Sequence, residues 1–177
     1  MKLYHYISKG NTALSEGILS FAKNPDAELR YYFKRSGAKT HEGIVRWLES
    51  CFEGRSRGIR GFSEPIKRTE KSENMFRPFI ENADLFAIDL AALDADGLIE
   101  AVYVSPAITP DLNGNLPQNC DEILVKLASI NDIDYSPVDW SACDEKLGLR
   151  FSVIPYYLII IKDGIIPPKY ITKETKI

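Results

Sequence analysis

Leu3-Tyr4-His5-Tyr6-Ile7-Ser8, followed by Leu14, Glu16, Gly17 and Ile18, is the stretch on which the fold turns. Residues 2–7 alternate around Leu3, His5 and Ile7 in β-branched and aromatic company, which predicts a short first strand ending at Ser8-Lys9-Gly10. Asn11 is placed to cap a short helix through Thr12, Ala13, Leu14 and Glu16, and Gly17 stops it. Residues 18–21 are then a brief apolar return. A histidine near the polar end of a first strand can present one imidazole nitrogen to a cleft, and a neighbouring tyrosine can stack on a planar ring. The plainer reading of the same histidine is a hydrogen-bonded structural residue.

Working outward, Pro25 and Asp26 open a helix with Leu29, Tyr32 and Phe33 that ends near Ser36-Gly37. Thr40 caps a helix whose Ile44, Trp47, Leu48, Cys51 and Phe52 recur at i, i+3, i+4, i+7 and i+8, so all five are expected on a core-facing stripe, with Gly54 as the stop. Residues 57–66 change to strand-like spacing through Gly58, Ile59, Gly61 and Phe62, and Pro65 marks an edge position or the strand's end. A helix over about 73–80 would bury Met75, Phe76, Phe79 and Ile80, kinked or split by Pro78. Residues 85–90 and 98–104 read as strands joined by a short helical or turn segment ending at Gly97, and 105–119 as a loop. Residues 121–130 suit either a helix or a buried strand. Ser141 opens a short helix ending at Gly148, 151–161 is the most strand-like segment, and Asp163-Gly164 is a tight turn into Ile165 and Ile166. Pro167, Pro168 and Tyr170 close the chain's apolar part. Strand, helices, strand, helix, then mostly strands predicts an α+β class. The expectation is one domain over 1–177, with a mixed, mostly antiparallel sheet and N-terminal helices.

The 177 residues are 45% hydrophobic and 27% charged, enough for a core without metals or crosslinks, which excludes disordered and fibrous classes. The longest apolar run, 153–161, is broken by Pro155 and too short to span a bilayer, and the N-terminus lacks an apolar secretory core. A cytoplasmic address is expected, with signal-less secretion as an effector left open. Three cysteines, Cys51, Cys120 and Cys143, and two histidines, His5 and His41, exclude a zinc ribbon or finger. The stripe places Cys51 in the core and the other two in acidic surroundings, which disfavours a catalytic thiolate. GxGxxG, GxxxxGK[ST], HExxH and GxSxG are all absent. Asp94 and Asp96 before Gly97 lack the further ligands of a calcium loop. The net charge of -3 conceals segregation: 15 Lys/Arg against 9 Asp/Glu over 1–77, then 1 against 14 over 78–145. That acidic middle is a solvated face or a docking site for a basic partner, and it disfavours duplex binding by the whole surface.

The opening patch resembles the Leu-Tyr-His-Tyr-Thr-Ser stretch that begins many bacterial ADP-ribosyltransferase-like domains, with Ile7 in place of the usual Thr. The resemblance implies an ADP-ribosyltransferase-like fold in which His5 contacts the nicotinamide ribose of NAD and Tyr6 helps orient it. Gly-Ile-Arg-Gly-Phe-Ser-Glu-Pro-Ile at 58–66 is similar to the family's middle strand, so Ser63 would stand near nicotinamide. Asp-Glu-Ile-Leu-Val at 121–125 is similar to its late strand, so Glu122 would stabilise the ribosyl centre as nicotinamide leaves. Ile165 to Ile171 is similar to its Ile-Pro-Pro-x-x-Ile close. The family's usual ExE or QxE pair is absent, and Glu64, beside Pro65 and near three arginines, is the competing carboxylate. The implied substrate is NAD, with no metal, and the implied reaction transfers ADP-ribose to a macromolecular acceptor or hydrolyses NAD.

The cluster Gly54-Arg55-Ser56-Arg57-Gly58-Ile59-Arg60-Gly61 is a second signal. Arginines among small residues let guanidinium forks and backbone amides approach phosphate oxygens, so Arg55 and Arg57 are expected to hold a pyrophosphate. The alternative is a non-catalytic module that binds phosphate, nucleotide or single-stranded nucleic acid through the basic patch over 55–68.

Overall fold

The computed structural model describes residues 1–27, 32, 36–105, 124–143 and 154–176. The alternating opening forms strand β1 (Lys2–Ser8), and helix α1 (Ala13–Glu16) follows; its cap is Thr12, one residue after the expected Asn11, whose side-chain oxygen accepts from the Ala13 N–H at 3.1 Å. The chain leaves α1 through Gly17 at φ 92°, where an added Cβ would lie 2.3 Å from the Ile166 carbonyl oxygen. Strand β2 (Ile18–Leu19) comes next. Helix α2 (His41–Cys51) starts at Thr40, whose Oγ1 accepts from the Gly43 N–H at 3.0 Å.

Ile44 and Leu48 of α2 bury against Tyr32, with Phe21, Ala38 and Trp47 around them. Cys51, expected on this stripe, is exposed. Leu48 is the last residue of α2 that buries in this cluster, and beyond it Glu49 turns to the Gly54 N–H and the Ser56 hydroxyl. Phe52 caps the helix in extended conformation and stacks on Tyr103 at 4.7 Å between ring centroids. Gly54, expected as the stop, instead makes a left-handed turn (φ 86°) into a 3-10 turn, Arg55–Arg57.

Strand β3 (Gly58–Gly61) leads to helix α3 (Glu70–Asn82), longer than expected at both ends. A capping box starts it early: Thr69 Oγ1 accepts from the Ser72 N–H at 3.0 Å while Ser72 Oγ accepts from the Thr69 N–H at 2.8 Å. The expected irregularity appears as non-helical backbone at Phe76, two residues before Pro78. Next come strand β4 (Ala83–Asp89), helix α4 (Leu90–Ala95) and strand β5 (Ile99–Ser105). Where 121–130 left helix and strand open, strand β6 (Val125–Leu127) forms, followed by a 3-10 turn, Ile130–Asp132. The short helix expected from Ser141 is a 3-10 turn, Trp140–Ala142, as far as residue 143. Strands β7 (Tyr156–Ile161), β8 (Ile165–Ile166) and β9 (Ile171–Glu174) complete the chain. Most of the helix expected after Pro25, the loop after Ser105, Cys120, Glu122 and Gly148 lie outside the described residues.

The class is α+β, but the expected mixed sheet is replaced by three sheets in which every described pairing is antiparallel: β1-β4-β9, β2-β8 and β3-β7-β5-β6. Gly164 (φ 70°) does not fold Ile165 and Ile166 back on β7; it redirects them to β2. β9 was not expected as a strand, because Thr172, Lys173 and Glu174 carry no apolar alternation; its place is an edge beside β4. Leu3, Ile59, Ile88, Leu93, Ile159 and Ile161 belong to the main core, while Phe76, Ile80 and Trp140 anchor a second cluster under α3. None of the described helices is long and apolar enough to cross a membrane.

The edges of the two larger sheets touch at one point. Tyr4 N–H donates to the Phe62 carbonyl at 2.8 Å and Phe62 N–H to the Tyr4 carbonyl at 2.9 Å. Gly61 permits this approach, since a Cβ there would lie 2.5 Å from Leu3 Cγ and 2.8 Å from the Tyr4 carbonyl oxygen.

Candidate active site at the junction of two sheets

At that bridge lies a cavity of about 310 Å³, lined by Tyr4, His5 and Tyr6 of β1, Arg60 and Gly61 of β3, then Phe62, Phe79 and Tyr156. Five of these eight residues are aromatic, so the walls offer faces and edges to a flat ring. Tyr6 and Phe79 meet edge to face at 6.0 Å, and the Tyr6 hydroxyl accepts from the Ile66 N–H at 2.9 Å, which fixes the ring.

His5 supplies the polar centre. Its Nδ1 lies 2.6 Å from the Arg60 carbonyl oxygen, and a carbonyl only accepts, so Nδ1 carries the proton and Nε2 a lone pair. Among the described residues no partner hydrogen-bonds Nε2. Burial pushes the imidazole below its ordinary pKa of 6.5 and the nearby Arg60 charge adds to this, outweighing the bond to the Arg60 carbonyl. His5 is therefore a neutral acceptor at pH 7. Arg60 also reaches Tyr32, its Nη1 donating to the hydroxyl at 3.4 Å, and its guanidinium carbon stands 6.0 Å from the Tyr156 ring centroid.

The structure brings together His5 and Tyr6 of the sequence-derived set and keeps others apart. Ser63 is buried and does not line this cavity; it lines a separate groove with Met1, Lys2, Tyr4 and Tyr135. Glu64 is bound in place: Oε1 accepts from the Val138 N–H at 3.0 Å and the Trp140 Nε1–H at 2.8 Å, and Oε2 pairs with Lys67 at 3.0 Å. Burial alone would raise the Glu64 carboxyl, but the bonds from Trp140, Lys67 and Val138 together hold it below the usual range. Arg55 is 5% exposed and lines no described cavity, and Arg57 ties the end of β7 to Glu100, donating to the Lys162 carbonyl at 2.6 Å and pairing with Glu100 at 2.8 Å. Glu122 lies outside the described residues, and no described carboxylate lines the cavity.

The other polar candidates are structural. His41 Nε2 donates to the Phe21 carbonyl at 2.6 Å and its ring stacks on Phe21. Cys143 is buried, and burial raises its thiol. No group of three or more His, Cys, Asp or Glu converges among the described residues.

Phe79 is expected in the sequence only as a buried helix residue, Tyr156 reads there as a packing ring, and Arg60 is marked only as a member of the basic cluster, not as a wall of this cavity. Period-two alternation held the signal for Arg60, because Ile59 faces the core and its neighbour must face away. Phe79 and Tyr156 carried none, since an aromatic that packs and one that lines a cavity look alike in a sequence. Compared with protein-family models, with curated proteins and with solved structures, the chain matches none.

Proposed function

We propose that the cavity binds the nicotinamide riboside part of NAD, and that the chain is an ADP-ribosyltransferase-like protein that transfers ADP-ribose to a macromolecule or hydrolyses NAD. One observation carries this reading: a neutral imidazole, fixed with Nε2 as acceptor, sits in a cavity walled by aromatic rings at the junction of β1 and β3. A ribose hydroxyl is a donor matched to Nε2, and a planar pyridinium fits between tyrosine and phenylalanine rings. Arg60 orients the imidazole through its carbonyl, while burial, aided by the Arg60 charge, keeps the ring neutral.

In this reading the C–N glycosidic bond breaks, nicotinamide leaves with the bonding pair, positive charge develops on the ribosyl carbon, and the acceptor's nucleophile or water bonds to that carbon and releases its proton to solvent. A carboxylate placed there stabilises that charge. Glu122 is assigned the role, because Glu64 is committed to Val138, Trp140 and Lys67.

Calorimetric titration with NAD, beside ADP-ribose and AMP, followed by an assay for free nicotinamide, tests the proposal. NAD binding that is lost in His5→Ala, with nicotinamide release lost in Glu122→Gln and both variants folded, is the expected result. Unaltered binding and release in both would overturn it.

A further inference from the structure

The groove that holds Ser63 has no part in the reading above. It measures about 400 Å³ and is lined by Met1, Lys2, Tyr4, Ser63 and Tyr135. Four large apolar side chains are exposed among the described residues, and two of them, Met1 and Tyr135, stand in this groove. Its walls are held in place. Tyr4 is paired with Phe62 through both of its backbone groups, and the Tyr135 hydroxyl donates to the Lys2 carbonyl at 2.9 Å. Ser63 is only 6% exposed, yet its hydroxyl has no hydrogen-bond partner among the described residues. Unlike the Ser20 hydroxyl, which is enclosed without a partner, it opens on the groove.

These groups select an occupant by their chemistry. Two phenol rings and a thioether offer faces and edges to a flat ring. Ser63 is the one polar side chain buried in the lining. A nucleobase has several polar groups on its edge, and against a single buried hydroxyl most of them would lose water and gain nothing. An indole or a phenol has one such group, which the hydroxyl satisfies. The rim is acidic. Lys2 pairs with Glu174 at 3.0 Å and lies directly opposite Asp89 in the register of β1 and β4, while the exposed Asp134 precedes Tyr135, so three carboxylates stand about one ammonium. Asp89 and Asp134 belong to the acidic middle of the chain, the part expected to face either solvent or a basic partner.

We propose that this groove docks a protein partner, taking a tryptophan or tyrosine side chain from a basic segment. The inference goes beyond the NAD reading and holds or fails apart from it, although Tyr4 lines both sites. The indole N–H or phenol O–H donates to Ser63 Oγ, and the ring packs against Tyr4, Tyr135 and Met1. Lysines or arginines beside it meet Glu174, Asp89 and Asp134.

The test titrates the tripeptide Lys-Trp-Lys into the full chain and follows the amides of Tyr4, Ser63 and Tyr135 by nitrogen-edited NMR, beside Lys-Ala-Lys, Glu-Trp-Glu and adenosine. Lys-Trp-Lys is expected to shift these amides to saturation, and the two control peptides to leave them in place. Ser63→Ala removes a hydroxyl that bonds to nothing in the free chain, so the variant keeps its fold, which circular dichroism checks. It should bind Lys-Trp-Lys about fivefold more weakly, the worth of one neutral hydrogen bond, and Tyr135→Ala should weaken the peptide as well. Equal affinity in the parent and Ser63→Ala, equal shifts with Glu-Trp-Glu, or no shift with Lys-Trp-Lys would each overturn the proposal. Adenosine binding more tightly than the peptide would overturn it in favour of a nucleoside site.

Discussion

A single carbonyl decides the chemistry His5 can perform. Because Nδ1 donates to Arg60 at 2.6 Å, Nε2 faces the cavity as an acceptor, and protonation would turn acceptor into donor. Nitrogen-detected NMR is expected to show His5 as the Nδ1-protonated neutral tautomer at pH 7, titrating below 6.5. A midpoint at or above 6.5 would contradict that assignment. Ligand affinity should accordingly be flat above the His5 pKa and fall as the solution is acidified through it. Glu64 behaves in the opposite manner: it is a structural anion, so Glu64→Gln is expected to lower stability by about 1–3 kcal/mol in urea titrations, as for hydrogen bonds that lose their charged acceptor. An unchanged midpoint would mean that the negative charge and its pairing with Lys67 add nothing to stability, since glutamine keeps an oxygen able to accept from Val138 and Trp140.

Two elements meet at the site, and each depends on one small feature. β1 and β3 approach only because Gly61 has no side chain, so Gly61→Ala should force Leu3 aside, at a cost of about 1–3 kcal/mol, and open the bridge between Tyr4 and Phe62. Chemical denaturation combined with hydrogen exchange at the Tyr4 and Phe62 amides checks both parts. Full protection of those amides in the variant would show that the strands do not need the glycine. Helix α3 starts on a capping box, and Thr69→Ala should cost about 1 kcal/mol. Phe76, fully buried where α3 breaks, should cost about 3–5 kcal/mol when cut to alanine, because Phe62 and Trp140 are left facing a void.

For the whole molecule, the titrating groups predict how stability follows pH. His5 is depressed on folding, so the unfolded chain takes up its proton first as pH falls below 6.5, and stability drops until the folded His5 also protonates. Glu64, Asp84, Asp96 and Asp134 are depressed as well, each by hydrogen bonds or ion pairs. Their contribution is present above the unfolded carboxylate range of about 3.9–4.3 and is lost as pH falls through the folded values. Urea midpoints measured from about pH 8 down to pH 3 should therefore show a plateau above 6.5, a first decline below it, and a second near pH 4. A midpoint that rises on acidification between 6.5 and 5 would reverse the sign assigned to His5.

What the sequence determined by itself is local: the alternation that makes β1, the Thr40 cap, the turn glycines, the break near Pro78 and the α+β order of elements. Each depends on sterics and hydrogen bonds within a few residues. Only the tertiary structure decided which edges pair. His5 meets Arg60 across 55 residues, Ile166 pairs with Ile18, and β9 joins β4 although Thr172 and Lys173 carry no apolar pattern. The division of the arginines was also decided there, Arg57 tying a strand end while Arg60 lines the cavity. Such choices are set by how whole faces bury against one another. A side chain's role then follows from the strand that happens to pass beside it, which no window of neighbouring residues contains.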